Sequence, residues 1–388
     1  MKNRVGLAIL IGLLGFTGSF SLSVIFSPYS AGILSIVCVG FYNAIKRYPI
    51  LDNRSIIPFC FLAFFTISST LTATQLEYYQ SLSHIGVLLI LYLVAPLFLI
   101  SVAQSLDREN LRKIIRGGLL IVLVYCFADL FLVSVSGASL NSVVPRSIRY
   151  TDATMLGIPR LFGPAIEPNY LAYYLVTFGP LIWSPGFKMF QTKVGVLSAG
   201  ILMVLCLTFS SAALAAAAIG FVGLVLWVLI FGSNAEKFFS VIWAICCISV
   251  ISAIIWLFDL GFLIEVVVRK LLFADALGGS ERLGGWIDGW NLFVDRPVFG
   301  YGFGFLAENS INVYSTFLTF LISGGIFSFA FFVIFYSLMF YRFHRLALKG
   351  DRSWLVSGLC SAPFLASNSL FFIPYFLVVW SLSHFRGD

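Results

Sequence analysis

The sequence predicts an all-α, polytopic membrane protein, with residues 1–388 forming a single integral membrane domain. Hydrophobic residues make up 60% of the chain, charged residues only 11%, and the mean hydropathy is +0.99. Apolar runs near 20 residues recur throughout, which is about the length that a helix needs to cross ~30 Å of hydrocarbon. Because backbone N–H and C=O groups must pair with one another in lipid, these runs are expected to be helices.

Ten apolar stretches are the candidate spans. They are Val5–Phe26, Tyr29–Ile45, Ile56–Leu71, Ile85–Ala103, Leu119–Val135, Tyr170–Trp183, Val194–Phe209, Ser211–Phe231, Phe238–Phe258 and Ile311–Tyr341. A last stretch, Trp354–Ser383, is long for one span and short for two, and Asn368 and Pro374 interrupt it. Since Arg386 favours a cytoplasmic C-terminus, two short spans are preferred, which gives about twelve helices, with eleven as the alternative.

The positions of Lys and Arg predict the orientation, because these residues are concentrated in the short loops on the cytoplasmic side of the membrane. With the N-terminus in the cytoplasm, all but seven of the 24 Lys and Arg residues fall on the inner side. The seven others lie in two long outer loops, at residues 136–169 and 259–309; they are Arg146, Arg149, Arg160, Arg269, Lys270, Arg282 and Arg296. Positive charge is normally sparse on that side, so we expect these residues to have negatively charged partners.

The two outer loops are too long to be simple connections, and their aromatic and glycine content indicates ordered structure. Trp286 and Trp290 are four residues apart, which places them on one face of a short amphipathic helix. Tryptophan favours the membrane interface, so this helix is expected to lie there. Gly300, Gly302 and Gly304 then predict a flexible turn before the next span.

Arginine is the residue expected around a diphosphate headgroup, because its guanidinium stays protonated and forms paired hydrogen bonds with phosphate oxygens. The alternative is that the outer arginines pair with acidic residues of the same loops. Sequence context favours phosphate binding for Arg160 and Arg282. It favours neither interpretation for Arg146 and Arg149, and it favours pairing for Arg269, Lys270 and Arg296.

Polar residues also enter the tenth span at intervals of three or four residues, namely Asn309, Asn312, Thr316, Thr319 and Ser323. This spacing predicts one helical face, which would line a substrate cavity or hydrogen-bond to a neighbouring helix. Asp129, near the outer end of the fifth span, is a second candidate for a functional residue inside the membrane. The alternative is that its carboxylate reaches the membrane interface.

Other chemistries lack the necessary residues. The net charge of +7 is spread over loops, so nucleic acid is not an expected partner. The three histidines and seven cysteines form no sequence cluster typical of a metal site or nucleophile, so neither a metal nor another cofactor is expected.

Two segments, Arg160–Leu175 and Arg282–Gly302, carry patterns typical of a known family. They resemble the O-antigen polymerase (Wzy-type) family, within the wider polymerase and ligase group. RLFGPAIEPNYLAYYL (Arg160–Leu175) is similar to the family pattern of arginine, glycine and then Pro-Asn heading a membrane helix. The segment Arg282–Gly302 resembles its arginine, tryptophan, proline and Gly-x-Gly signature, and Tyr314–Gly325 is similar to the helix that follows. In the ligases this helix begins with His-Asn; here Tyr314 and Ser315 stand in those places, which favours a polymerase.

The resemblance implies a GT-C type membrane glycosyltransferase in the bacterial inner membrane, working on the periplasmic face. It implies donor and acceptor glycans linked to undecaprenyl diphosphate, polymerised into O-antigen or capsule-type polysaccharide of the kind found in lipopolysaccharide, with a chain-length regulator as a candidate partner. We expect metal-independent catalysis by Glu167, Arg282 and Arg160. The residues expected to bind diphosphate are Arg146, Arg149, Arg160 and Arg282, and those expected at a substrate cavity are Asn169, Asp288, Asn309 and Asn312.

Two alternatives stay open from the sequence. One is an O-antigen ligase, which transfers finished glycan to lipid A core. The other is a transporter or flippase for lipid-linked sugars, which would be expected to carry charges inside its spans and often an internal duplication.

Overall fold

A computed structural model describes residues 8–9, 11–12, 95–137, 139–140, 154–155, 158–159, 161, 163–165, 167–183, 192–257, 279–302, 305–367 and 375–385. This part of the chain is helical apart from one short antiparallel strand pair. Three of its helices are long and apolar enough to cross a membrane. The helical class and membrane character are therefore supported, whereas twelve spans and a GT-C fold stay predictions. The predicted spans Tyr29–Ile45 and Ile56–Leu71, and most of Val5–Phe26, lie outside the described residues.

The helices of the described residues are numbered along the chain. In chain order they are α1 (Ala95–Gln104), α2 (Arg108–Ser136), α3 (Pro168–Phe178), α4 (Thr192–Leu207), α5 (Ser211–Phe231), α6 (Asn234–Leu257), α7 (Gly279–Asp295), α8 (Phe305–Glu308), α9 (Thr316–Leu348), α10 (Ser353–Ser367) and α11 (Tyr375–Leu382). Strands β1 (Thr154–Met155) and β2 (Ile158–Pro159) pair between α2 and α3, with Thr154 opposite Pro159. The long apolar helices are α2, α5 over Ala212–Phe231, and α9; Val194–Leu207 and Ser353–Ser367 are shorter apolar helices.

Local sequence signals explain where the long helices begin and end. Asp107 caps α2 by accepting a hydrogen bond from the Asn110 N–H at 2.7 Å, and Gly137 ends it in the left-handed conformation. Ser210 caps α5 in the same way, through the Ala213 N–H at 3.3 Å. Side-chain oxygens at these positions satisfy N–H groups that the first turn of a helix leaves unpaired.

Among the described helices, α10 packs against α3, α5 and α9. Its closest neighbour is α5, where a Cβ added at Gly220 would lie 2.3 Å from the Cys360 Sγ, and one at Gly223 would lie 2.7 Å from a Leu359 methyl. The backbones can approach this closely only because glycine has no side chain. The small residues around Gly220 therefore allow α5 and α10 to pack closely.

Charged and polar groups gather at one end of the bundle, which we call the basic end. It is formed by the start of α2, the ends of α9 and α11, and the start of α10. Arg112 and Asp351 form a buried ion pair at 2.7 Å, and Arg342 donates to the Ser383 hydroxyl and carbonyl at 2.8 Å each. Arg116 donates to the Ile182 carbonyl at 2.9 Å. Arginines that the sequence places on one side of the membrane therefore lie at one end of the bundle.

The opposite end, which we call the loop end, contains the N-termini of α3 and α5 and the Gly325 break of α9. The part of α9 before the break folds back, since the Phe317 and Phe320 rings lie 5.7 and 4.4 Å from that of Phe332. The placement of the loop end follows from the helix directions, since α9 finishes at the basic end and α3 leads through the turn Gly179–Ile182 to Arg116 there. Helix α5 joins this end directly, because the Ser210 hydroxyl at its start donates to Asn169 Oδ1 at 2.8 Å. Both segments that carry the family resemblance enter the bundle at the loop end.

The last apolar stretch forms two helices, α10 and α11, as the sequence favours. The ring of Trp354 at the start of α10 stacks on Phe385 just after α11, with centroids 5.8 Å apart. The chain therefore reverses between the two helices and returns to the basic end.

Candidate functional site

The first motif segment is packed into the bundle just before α3. The Leu161 N–H donates to the Leu207 carbonyl at the end of α4 at 2.9 Å. Gly163 has a φ of +49°, and a Cβ added there would lie 2.4 Å from the Cys126 Sγ of α2. Glycine is required at this position both by the backbone conformation and by the lack of space. The glycine of the motif thus fixes the path of the chain that leads to Glu167.

Glu167 occupies the residue that precedes the first turn of α3, with Pro168 directly after it. Its backbone carbonyl accepts hydrogen bonds from the Tyr170 and Leu171 N–H groups at 3.1 and 3.3 Å. Its carboxylate does not cap the helix, although it lies next to the positive end of the helix dipole. Glu167 is half-buried, and its backbone fixes its position at the loop end.

Asn169, one residue into α3, joins two helices. Its Oδ1 accepts the hydrogen bond from Ser210, whose own hydroxyl also caps α5. The contact connects the start of α3 to the start of α5, so the structure gives Asn169 a positional role. Sequence reasoning placed Asn169 at a cavity and missed Ser210, for which the only signal was a serine before an alanine-rich helix.

Asp129 holds the chain that leaves α2. It is buried, and its Oδ1 accepts hydrogen bonds from the Ser139 hydroxyl and the Leu140 N–H, both at 2.8 Å. The carboxylate therefore caps the segment after the helix. This contact accounts for an intramembrane acid that the sequence left as a functional candidate.

In the second motif segment, helix α7 packs through two glycines. A Cβ added at Gly285 would lie 2.6 Å from the Asn312 carbonyl oxygen, and one at Gly289 would lie 3.0 Å from a Val313 methyl. The segment that precedes α9 thus rests directly on the backbone of α7. Arg282 lies in the first turn of this helix, and its side chain is outside the described residues, whereas Asp288 is exposed.

The two tryptophans of α7 differ in their surroundings. Trp286 is half-buried, and its indole N–H donates to the Tyr314 carbonyl at 3.4 Å, whereas Trp290 is 54% exposed. The predicted helix is present, but its two tryptophans do not share one exposed face.

The turn after α7 is bound to α9 by backbone hydrogen bonds. The Tyr301 and Gly302 N–H groups donate to the carbonyls of Ile322 and Ser323, and the Ile326 N–H donates back to the Pro297 carbonyl, each at 2.8 Å. These bonds form where α9 is interrupted at Gly325, which has φ +66° and ψ −170°. The prediction of a flexible turn at these glycines is therefore wrong for Gly300 and Gly302, because the turn is hydrogen-bonded into a helix break.

Side chains beside this turn pair locally. The Tyr301 hydroxyl donates to the Asp295 carboxylate, and that hydrogen bond raises the pKa of Tyr301 above its usual value. The Arg296 guanidinium lies over the Tyr301 ring, 4.6 Å from its centroid. Arg296 is thus engaged by an aromatic ring of its own loop, whereas the pairing interpretation named acidic residues as its partners.

The predicted polar face is divided by the true start of α9. The helix begins at Thr316, where Ser315 accepts a hydrogen bond from the Leu318 N–H at 3.4 Å. Asn309 and Asn312 precede it and are exposed; Asn309 donates to the Phe305 carbonyl, and Asn312 accepts from the Tyr314 N–H. A single helical face from Asn309 to Ser323 is therefore wrong.

The remaining polar residues of that face are buried in α9. The Thr319 hydroxyl donates to the Ser315 carbonyl at 2.8 Å. Within the described part of the chain, the buried Ser323 hydroxyl has no hydrogen-bond partner. Ser323 lies two residues before Gly325, and its carbonyl accepts the hydrogen bond from the Gly302 N–H.

The predicted site residues that the structure describes fall into two groups, both at the loop end. Glu167 and Asn169 belong to the start of α3, and Arg282, Asp288, Asn309 and Asn312 belong to α7 and the segment before α9. Arg146, Arg149 and Arg160 lie outside the described residues. Helix α10 packs between α3 and α9, so the contacts of these helices set the spacing of the two groups.

Comparison of the sequence with protein-family models and with curated proteins gives no match.

Proposed function

We propose that the protein is a membrane glycosyltransferase that polymerises oligosaccharide repeat units carried on undecaprenyl diphosphate. The observation that carries the proposal is that both motif segments enter the bundle at the same end, opposite the end where the inner arginines gather. A reaction between two lipid-linked substrates needs its polar groups together at one membrane surface. The resemblance in the two segments supplies the reaction class.

The proposed reaction breaks the bond between the anomeric carbon of the donor glycan and its diphosphate oxygen. A hydroxyl oxygen of the acceptor glycan forms the new glycosidic bond, its proton passes to a carboxylate, and undecaprenyl diphosphate leaves with the bond electrons. Negative charge therefore develops on the diphosphate. Fixed cationic donors stabilise such charge, and loss of one fixed donor typically lowers the rate ~10²–10³-fold.

In this proposal Arg160 and Arg282 bind the diphosphate, assisted by Arg146 or Arg149. Support for Arg282 comes from its helix. Position 282 is seven residues, or about two turns, before Gly289, and so lies on the side of α7 that packs against the segment before α9. A residue on a helix fixed by close backbone contacts would be held in place for this role.

Glu167 is the proposed base that accepts the hydroxyl proton. Its support is the position at the start of α3, where the backbone is fixed by the Gly163 contact and by hydrogen bonds from Tyr170 and Leu171. The competing role is an ion pair with a loop arginine, and Asp288 and Glu281 are the reserve candidates for the base.

The test of the function is reconstitution of the purified protein in proteoliposomes with one lipid-linked repeat unit. A polymerase converts this single substrate into a ladder of longer lipid-linked glycans, whereas a ligase without its acceptor does not. A transporter would move the substrate across the bilayer and leave its length unchanged. Unchanged length with the protein correctly folded would refute the proposal.

The test of the arginine is Arg282→Lys, with Arg296→Lys as the matched control in the same loop. Lysine keeps the charge but not the paired hydrogen bonds, so we expect Arg282→Lys to lower the rate by about 10²-fold or more. Arg296 lies over Tyr301, so its variant should retain polymer synthesis. Wild-type chain lengths in Arg282→Lys, or equal loss in both variants, would contradict the assignment.

A further inference from the structure

Helix α7 has three distinct faces, and one of them is apolar and uncovered. Gly285 and Gly289 form the face that packs on the segment before α9. Asp288, Asn291 and Asp295 follow at intervals of three and four residues and are exposed. The third face consists of Leu283, Ile287, Trp290 and Val294, which are between 49% and 58% exposed; we call these four residues the apolar stripe.

The apolar stripe continues onto a helix that is itself a candidate membrane span. Beyond α7 the exposed side chains of Val298 and Phe299 extend it, and the Phe299 ring lies 6.4 Å from that of Phe327 on α9. Ile326 and Phe327 are each 45% exposed just after the Gly325 break. From there the outer surface of α9 stays apolar and exposed through Val333 and Ile334.

We propose that the apolar stripe is a lipid-binding surface, which lies in the acyl-chain boundary of the same bilayer that α9 crosses. The continuity with α9 identifies the occupant, because the surface beyond Phe327 belongs to a helix long and apolar enough to span the membrane. The exposed polar face beside the stripe then meets water. A helix with this division of faces lies in the interface plane, with its apolar face ~5–10 Å into the headgroup and acyl boundary.

This assignment differs from the one that the tryptophan spacing predicts. Trp290 lies on the lipid-binding surface, but Trp286 belongs to the packed side, where it donates to the Tyr314 carbonyl. The backbone bonds between the turn and the α9 break fix the depth of the surface relative to the span. Helix α7 is thus a rigid extension of α9 that anchors the second loop in lipid, whatever reaction the loop serves.

The test uses single cysteines labelled with a small fluorophore in the full-length protein, reconstituted in phospholipid vesicles. Ile287→Cys and Val294→Cys report the apolar stripe, and Asp288→Cys and Asn291→Cys are controls on the exposed polar face of the same helix. Labelled wild-type protein gives the background from native cysteines. Two quenchers are compared: aqueous iodide and phospholipids brominated along the acyl chain.

We expect brominated lipid to quench labels at 287 and 294 more strongly than those at 288 and 291, with the order reversed for iodide. Lipids brominated near the headgroup should quench more than those brominated near the chain end, as a depth of ~5–10 Å requires. Equal iodide quenching at all four positions would overturn the proposal. So would labels at 287 and 294 that neither quencher reaches, since protein would then cover the stripe.

Discussion

The turn at residues 297–302 is hydrogen-bonded to α9 at the Gly325 break, and we call this contact the joint. Its contribution to stability can be predicted from the structure. At Gly325 the backbone has φ +66° and ψ −170°, a region that is essentially restricted to glycine. A Cβ there would also lie 2.1 Å from the Val298 carbonyl oxygen. Gly325→Ala must therefore strain the backbone and displace the turn, or straighten the helix and release the turn.

Both outcomes can be expressed as a loss of stability. An unfavourable backbone conformation of this kind costs about 1–3 kcal/mol. Three backbone hydrogen bonds cross the joint, and each contributes about 0.5–1.5 kcal/mol. If all three are lost together with the strain, the variant should lose about 2.5–7.5 kcal/mol of unfolding free energy. Values above 4–5 kcal/mol are exceptional for a point mutation, so the upper half of this range would be diagnostic.

The assay is detergent denaturation of the purified protein in mixed micelles, combined with amide hydrogen exchange at Tyr301, Gly302 and Ile326. Gly284→Ala is the matched control, because Gly284 is helical and a Cβ there meets no atom within 4 Å. That control should be neutral, or stabilising by roughly 0.5–1 kcal/mol. A Gly325→Ala protein as stable as wild type, with unchanged exchange at the three amides, would refute the reasoning.

Two further predictions concern ion pairs at the basic end. Hydrogen bonds from the Ser233 N–H and from Arg352 lower the pKa of the Glu236 carboxyl, so its stabilising effect is present above its unfolded pKa of about 4.3 and is lost as pH falls through the folded pKa. Thermal melts should show Glu236→Gln to be less stable than wild type at pH 7, with the gap closing in acid. Asp351→Asn leaves Arg112 buried without its counter-charge, and denaturation should report a loss of about 3–5 kcal/mol.

The control for both is Glu109→Gln. Glu109 is 55% exposed and 3.7 Å from Arg116, so its removal should change stability by about 0–1 kcal/mol. If Asp351→Asn proved as mild as this control, the buried pair would not be a stabilising contact. A Glu236→Gln deficit independent of pH would mean that the carboxylate charge is not its cause.

Helix positions were predictable where composition changes sharply at a cap. The stretch Ser211–Phe231 is a helix with these same bounds, because Ser210 precedes an unbroken apolar run and Gly232 ends it. The start of α9 was placed five residues too early, at Ile311, because Ile311 and Val313 prolong the hydrophobic run. They instead lie in the segment that rests on α7, and no local signal separates the two environments.

Other features depend on tertiary contacts and could not be predicted from the sequence. Trp286 and Trp290 are separated by only about 40° around a helix, yet the boundary between the packed and exposed sides falls between them. Arg112 and Asp351 are 239 residues apart, so nothing local identifies them as partners. The glycine pair at 324–325 is visible in the sequence, but the break depends on the Val298 backbone that packs against it.

The two ends of the bundle are stabilised by different kinds of contact, and the difference bears on the proposed site. At the basic end charged side chains are used in structural contacts, as in the pairs Arg112–Asp351 and Arg352–Glu236. At the loop end the backbone is fixed mainly by glycine contacts and backbone hydrogen bonds, at Gly163, Gly300 and Gly325. Turns held by glycine and backbone contacts do not themselves require charged side chains, although Asp129 and Arg296 are used in local contacts at this end. A site that must hold diphosphate and accept a proton needs this arrangement, because a guanidinium already committed to a structural ion pair binds phosphate only after that pair is broken.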